Sequence, residues 1–341
     1  MKIKRNLIDS NTTLLGFLIF TFLIAAEWVM HLLSIKDWNW DLDGLLFSGQ
    51  RLLSGDLHWT STFDDKLPVV QYIFAIPAAF ESIAVWISMS IAFVLMGAWA
   101  CYIIVNDCLR ADQSLTYNER SNYSLLASFS MIYLSTFMRG GIDQINPMAA
   151  SAAISSISLL IVFFRKNQTN VLGYGYFVAS AALASIAIGI RPYFILMQLV
   201  ASIWVITRSE KKFSIKNIIA YSVFWIVLTG IFGLIVNFLP YLVTGQLEAF
   251  LAGMQMLSQK IYPSSLVNVV GTIFKNLENQ SIVETVLIIG STASWIYAAV
   301  AIFKKNLPLL PQKISLDIIV LTLLLPSLLG LMIVMKYVPL A

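Results

Sequence analysis

The chain has 341 residues, of which 58% are hydrophobic and 12% are charged, whereas a soluble domain carries roughly 25% charged residues. A chain this apolar has too few polar residues to cover its surface in water. Its composition therefore excludes soluble folds and predicts an all-α, polytopic transmembrane helical bundle. The net charge of +4 is not collected into a basic run that could follow a phosphate backbone, so we expect no nucleic acid partner.

Apolar runs that suit membrane spans recur along the whole chain. Since a span needs about 20 residues, they predict about nine spans in a single transmembrane domain, 1–341. Arg191-Pro192 interrupts an otherwise continuous run, and because proline disfavours helix before it, we expect a hairpin with Arg191 at its tip. The runs lie at residues 13–34, 82–107, 122–138, 147–164, 171–190, 192–207, 217–243, 283–303 and 315–336.

The distribution of basic residues predicts the orientation. With the N-terminus in the cytoplasm, the cytoplasmic segments hold 14 Lys and Arg and the rest of the chain holds 8. This bias follows the positive-inside rule and puts the C-terminus outside. Two external segments are long, 35–81 and 244–282, the first and the fourth external loops. Loops held by a rigid bundle commonly carry functional sites.

Both long loops contain helical patterns too short or too amphipathic to span. Leucines and Gly49 recur at helical spacing within 41–53, the apolar stretch 69–80 has only 12 residues and contains Pro77, and a Met-bearing pattern starts near Leu247. These features predict interfacial helices in the first and fourth external loops. A Met-bearing helix there would guide a lipid tail or serve as a lid.

The first external loop is acidic. Six of the 18 acidic residues lie within 36–68, and all six are Asp. Asp41 and Asp43 fall at the predicted N-terminus of the first interfacial helix, where the helix dipole keeps carboxylates ionised. Asp64 and Asp65 precede Lys66. The alternative interpretation is that these acids are solvated caps and a local ion pair.

The runs DLDGLLFSGQRLLSG at 41–55 and FDDKLP at 63–68 resemble the first external loop of the GT-C superfamily. These glycosyltransferases use lipid-phosphate sugars and include protein mannosyltransferases and the aminoarabinose transferase of lipid A. In that family the loop opens on an Asp or Asp-Glu, reaches a Gly some fourteen residues later and ends in a Lys-Pro-Pro-like step. Here Gly55 follows Asp41 by fourteen residues, and Leu67 replaces the first proline.

Weaker similarity to the same family covers three further segments: Gly141 to Asn146, the Gly189-Ile-Arg-Pro192 turn, and Tyr241 to Phe250. Members of this family usually continue beyond nine spans. The chain ends at Ala341, at the close of a predicted span, so the resemblance implies a short or C-terminally truncated member. It also implies a bacterial-type inner membrane.

The resemblance implies inverting transfer of a sugar from a polyprenyl phosphate to an acceptor lipid, glycan or protein. A carboxylate must then accept the proton of the acceptor hydroxyl. Asp41 is the first choice for this base and Asp43 the alternative; two residues apart on a helix, they do not share a face. The expected substrate-binding residues are Asp64, Asp65, Lys66, Arg139, Asp143, Arg191, Tyr193 and Lys260.

The cations among these residues would stabilise the departing phosphate. Arg191 is the strongest candidate, and its alternative role is an anchor that reaches to lipid headgroups. Asp143 is otherwise a turn residue between spans. No cofactor is certain, and a divalent metal near Asp64 and Asp65 is an open alternative, although adjacent acids match no recognised metal spacing.

Two other classes of function compete with this reading. One is a transporter or flippase for a lipid-linked or small solute, which would show broken helices at mid-bilayer and internal repeats. The other is a polysaccharide polymerase that uses external arginines. The charged residues of this chain gather at the external interface and no repeat is evident, which favours an interfacial enzyme.

Overall fold

A computed structural model describes residues 40–60, 66–110, 115–136, 145–166, 171–192, 194–207 and 215–261. The chain forms two compact units. The first comprises 1–107 and 115–251, and it contains every site discussed below except Lys260. The second comprises 108–114 and 252–341, of which the described parts are the ends of two helices.

All regular structure within the described residues is helical, as the composition predicts. There are ten helices: α1 (Trp40–Leu53), α2 (Val69–Ala79), α3 (Ile83–Leu109), α4 (Tyr117–Thr136), α5 (Ile145–Lys166), α6 (Val171–Ile190), α7 (Phe194–Thr207), α8 (Ile215–Asn237), α9 (Leu239–Val243) and α10 (Leu247–Ile261).

Four of these helices are long and apolar enough to cross a membrane: α3, α5, α6 and α8. This finding confirms the prediction of a transmembrane helical protein. Helices α4 and α7 coincide with two further predicted spans but are less apolar or shorter. The predicted spans at 13–34, 283–303 and 315–336 lie outside the described residues, so the count of about nine stays a prediction.

Two predicted helix boundaries differ from the structure for local chemical reasons. Helix α4 begins at Tyr117 rather than at 122, because Thr116 and Glu119 form a capping box. The Glu119 carboxylate accepts the Thr116 amide at 2.8 Å, and the Thr116 hydroxyl accepts the Glu119 amide at 3.3 Å. Both bonds satisfy amides that a helix start otherwise leaves without partners.

The apolar run 217–243 is not one helix. Helix α8 ends at Asn237, and the short helix α9 starts at Leu239 with Pro240 in its first turn. Proline has no amide to donate to the preceding turn and disfavours helix at the residue before it. The break sets the Asn237 side chain at the end of α8, where its amide nitrogen donates to the carbonyl of Gly233 at 2.9 Å.

The centre of the first unit is α5, of which 89% of the most apolar stretch is buried, against 11% for α8. Helix α5 packs most extensively on α6 through alanines and serines. The Ser180 hydroxyl donates to the Ser156 carbonyl at 2.8 Å and accepts the Trp225 indole N–H at 3.0 Å. Small side chains let the backbones approach closely, and shared hydroxyl bonds satisfy the polar groups in an apolar surrounding.

Helices α1 and α2 pack against each other at a glycine. A β-carbon built on Gly49 would lie 2.4 Å from the carbonyl oxygen of Phe74. The Phe74 ring is fully buried and stacks on Trp86 with centroids 4.2 Å apart, so this backbone has little freedom to move away. Gly44, one and a half turns earlier in α1, has nothing within 4 Å of such an atom.

The two glycines give a matched test of this packing. We expect Gly49→Ala to lower the free energy of unfolding by about 2 kcal/mol, because overpacking forces backbone shifts. Gly44→Ala should be neutral or raise it by about 0.5–1 kcal/mol, because alanine favours helix. Thermal unfolding of both variants in detergent measures the difference. Equal melting temperatures would show that α1 does not approach α2 this closely.

Candidate functional site

Helix α1 carries both proposed base residues at its N-terminal end. It begins at Trp40, so Asp41 and Asp43 fall in its first turn, where the amide groups present a positive partial charge. The Asp43 residue is exposed. The structure therefore puts a carboxylate-bearing helix start where the sequence predicts it, and the assignment of a base stays a prediction.

Helix α1 ends in a Schellman motif that explains the glycine fourteen residues after Asp41. Gly55 has φ +93°, a conformation that side chains rarely adopt. The Gly55 amide donates to the Leu52 carbonyl at 3.0 Å, and the Asp56 amide donates to the Arg51 carbonyl at 2.9 Å. The half-exposed side chains of Arg51 and Asp56 also form a 2.6 Å ion pair. The motif turns the chain back beside α1.

His58 lies at the centre of the returning segment and is 1% exposed. Its Nε2 is 3.2 Å from the carbonyl oxygen of Lys66, and its Nδ1 is 3.2 Å from the Ser48 hydroxyl. A carbonyl only accepts, so Nε2 must carry the proton and Nδ1 accepts from Ser48 in the neutral ring. His58 is not among the site residues that the sequence predicts, although one of only two histidines stands between Leu57 and Trp59 in an otherwise acidic loop.

Burial lowers the pKa of His58 from 6.5 to about 4. The hydrogen bond to the Lys66 carbonyl acts in the opposite direction, and the positive charge of Lys66 lowers the pKa further. Desolvation dominates because the imidazolium loses more hydration than one carbonyl returns. His58 is therefore neutral at physiological pH, and its two nitrogens keep distinct donor and acceptor roles.

The peptide group that joins Lys66 to Leu67 is held on both sides. Its carbonyl accepts from His58, and its amide donates to the carbonyl oxygen of Gly189 at 3.3 Å. A β-carbon on Gly189 would lie 2.4 Å from Cγ1 of Val69, so the close approach requires glycine there. This explains the glycine in the last turn of α6.

The next free amide of the loop is bound by α8. The Val69 amide donates to the Asn237 side-chain oxygen at 2.8 Å, and Asn237 is 8% exposed. On the α1 side, the Gln71 amide nitrogen donates to the carbonyls of Ser48 and Asp56, at 3.0 Å each. Side chains thus supply the partners that an irregular backbone at a membrane boundary needs.

Residues 241–250, around the start of the second long loop, pack on the same segment. The Tyr241 hydroxyl donates to the carbonyl oxygen of His58. The Phe250 ring lies with its centroid 5.3 Å from that of Tyr241 and 5.8 Å from that of Trp59. Gly245, at φ +71°, ends α9 and turns the chain into α10.

Arg191 occupies the turn between α6 and α7, two residues after Gly189. Its Nε donates to the Asn146 side-chain oxygen at 2.7 Å, and Asn146 is 8% exposed. This bond fixes the guanidinium plane, because Nε lies in that plane. No second partner for the guanidinium is found among the described residues. The half-buried Arg191 is therefore oriented by Asn146, and a guanidinium group suits the binding of an anion.

The structure brings together some of the predicted site residues. The Leu67–Gly189 hydrogen bond joins the backbone next to Lys66, which is 8% exposed, to the end of α6, two residues before Arg191. Lys260 lies in α10, in the second unit. The other predicted substrate-binding residues lie outside the described part of the chain: Asp64, Asp65, Arg139, Asp143 and Tyr193. No group of three His, Cys, Asp or Glu side chains suited to a metal occurs among the described residues.

The fold defines a class, an all-helical integral membrane protein. Comparison with known proteins adds nothing to that class, since no family model, curated protein or solved structure matches the chain. A function must therefore be argued from the arrangement of the residues themselves.

The buried neutral His58 predicts a pH-dependent stability. Because its pKa in the folded chain lies below 6.5, the unfolded chain binds the proton first as the pH falls. The stabilisation is complete above about pH 6.5 and is lost as the pH falls to about 4. Between pH 7 and pH 5 the free energy of unfolding should drop by about 2 kcal/mol through this group.

Thermal unfolding of the wild type and of His58→Gln in detergent, at both pH values, measures this effect. Glutamine does not titrate in this range, so the variant should lose less stability on acidification than the wild type. An equal loss in both chains would show that His58 does not stay neutral in the folded protein.

Proposed function

We propose that this chain is a GT-C-type membrane glycosyltransferase of about nine spans, with a cytoplasmic N-terminus, in a bacterial-type inner membrane. It would move a sugar from a polyprenyl-phosphate donor to a lipid, glycan or protein acceptor at the external face. The observation that supports the proposal is a convergence: the first external loop contacts the Gly189–Pro192 turn and Tyr241, and Arg191 contacts Asn146. These are segments on which the resemblance to that family rests.

The neighbouring cations suit the phosphate of such a donor. Arg191 is oriented by Asn146, and its guanidinium matches the geometry of phosphate oxygens. Lys66 is the second cation of this part of the chain, since the residue after it is bonded to Gly189, two residues before Arg191. At the boundary of a low-dielectric bundle, charges fixed in advance stabilise a developing anion more strongly than they would in water.

The chemistry requires one base and no strong acid. The acceptor oxygen attacks the anomeric carbon while the bond from that carbon to the phosphate oxygen breaks, and the electron pair leaves with the polyprenyl phosphate. The acceptor proton passes to a carboxylate, for which Asp41 is the first choice and Asp43 the alternative. Both residues lie in the first turn of α1.

The membrane supplies the remaining binding energy. The apolar helices α3, α5, α6 and α8 anchor the site in the bilayer, where the polyprenyl tail of the donor also resides. The proposed partners are thus the lipid-linked sugar, the surrounding membrane lipid and the acceptor. A donor confined to the same bilayer needs to be oriented only at its phosphate and sugar.

The decisive experiment measures transfer of a labelled sugar by the full chain in lipid nanodiscs, using a panel of polyprenyl-phosphate donors. We expect Asp41→Asn to lower kcat by about a hundredfold or more, because a general base contributes that much. Asp56→Asn is the matched control: it lies in the same loop, but its carboxylate is paired with Arg51. That variant should keep nearly full activity.

Loss of transfer in Asp43→Asn but not in Asp41→Asn would move the base two residues along α1. Transfer that survives in both variants would contradict an aspartate base at this helix start. If the wild type transferred no sugar from any donor, the proposal would fail, and a fluorescent-lipid flipping assay in vesicles would test the transporter alternative.

A further inference from the structure

The Lys66–Leu67 peptide group has bonding partners on both of its faces. A trans peptide directs its carbonyl and its amide in opposite directions. Here the carbonyl meets His58 and the amide meets Gly189. This peptide group therefore connects the first predicted external loop to the end of α6. Lys66 supplies its carbonyl, and Arg191 lies two residues after Gly189, which accepts from its amide.

We propose that His58 is a positioning residue that fixes Lys66 relative to Arg191 and so sets the subsite for the donor phosphate. This inference rests on the proposed function, since it assigns a phosphate-bearing donor to these two cations. His58 touches neither the donor nor the reacting atoms. It acts through the Lys66 carbonyl, with which its Nε2 makes the hydrogen bond.

Three contacts hold the His58 imidazole in one orientation. Ser48, in α1, holds Nδ1 and thereby fixes the tautomer that donates from Nε2. Tyr241 binds the carbonyl oxygen of His58 and holds its backbone from the side of α9. The ring also lies 5.4 Å from that of Trp59, centroid to centroid. With both nitrogens and the backbone bound, the imidazole has no alternative rotamer that keeps these bonds.

His58 also connects the helix that carries the proposed base to the segment that carries a proposed phosphate-binding cation. Ser48 belongs to the helix that carries Asp41 and Asp43, and it lies five residues beyond Asp43. His58 therefore links the helix of the base to the peptide of the cation. Positioning of this kind matters because a misplacement of about 1 Å costs about a hundredfold in rate.

Two neutral substitutions of His58 distinguish the effect of side-chain length from the effect of side-chain polarity. His58→Gln carries its amide nitrogen about as far from the backbone as Nε2, so it still donates to the Lys66 carbonyl. His58→Asn carries its amide only as far as Nδ1, so it still bonds Ser48 but not Lys66. Both keep a hydrogen-bonding side chain at the buried position, and protected amides in α5 and α6 report that each variant is folded.

The first measurement is amide hydrogen exchange in the full chain in detergent, resolved at Leu67. We expect Asn at position 58 to speed exchange at Leu67 about tenfold, because the peptide loses one of its two anchors. Gln should leave it near the wild-type rate. The Val69 amide, which is bound by Asn237, is the internal reference and should change less.

The second measurement is steady-state transfer with the donor and the acceptor varied separately. His58→Asn should raise the donor KM about tenfold or more and leave the acceptor KM within about twofold, and Gln should restore the donor KM. Equal Leu67 exchange in the two variants, or faster exchange with an unchanged donor KM, would overturn the positioning role while leaving the enzyme intact. Absence of transfer by the wild type would instead overturn the proposed function, and the donor subsite with it.

Discussion

The described backbone between α1 and α2, residues 54–60 and 66–68, depends on side chains and on neighbouring helices for part of its hydrogen bonding, and this constraint organises the first unit. Outside a helix, each carbonyl and amide near the membrane needs a partner from elsewhere in the chain. His58, Asn237 and Tyr241 provide those partners, from the segment itself, from the end of α8 and from α9. The bonds that satisfy the polar groups of the segment also hold the backbone of Lys66 and Leu67 at the end of α6, just before the turn that carries Arg191.

The helical core follows a different rule from the site. Between α5 and α6 many of the contacting residues are alanines and serines, and the Ser180 hydroxyl bonds both the hydroxyl and the carbonyl of Ser156. The long polar and charged side chains of the candidate site lie at one end of these helices, around Gly189 and Asn237. A close-packed bundle of small residues gives the external segments a fixed base, as precise positioning requires.

The sequence predicts the helices well, because their signal is local. The ends of the apolar runs lie close to the ends of α3, α5, α6 and α7, and Pro240 and the Thr116–Glu119 pair account for the two boundaries that the runs miss. The site contacts are different. Tyr241 and His58 are 183 residues apart, and Val69 and Asn237 are 168 apart.

No periodicity in one sequence encodes contacts between residues so far apart. The role of His58 therefore follows only from its surroundings in the fold, whereas the helical pattern of the loop marks Asp41 and Asp43, and the resemblance to the GT-C superfamily marks Gly55. The proline beside Arg191 marks this residue in the sequence, but nothing there marks its partner Asn146, because the bond joins the turn after α6 to the start of α5, 45 residues away.

The contrast between α5 and α8 has a consequence for how such a protein diverges. In α5, where 89% of the most apolar stretch is buried, each side chain meets neighbours, so changes in volume are penalised. In α8, where the figure is 11%, most side chains face outward, and any residue that suits lipid serves equally well. Among descendants of one ancestor, α8 should drift freely among Ile, Val, Leu and Phe while α5 keeps its small residues. Searches for distant relatives should therefore weight α5 and the segment around His58 above the more hydrophobic helices.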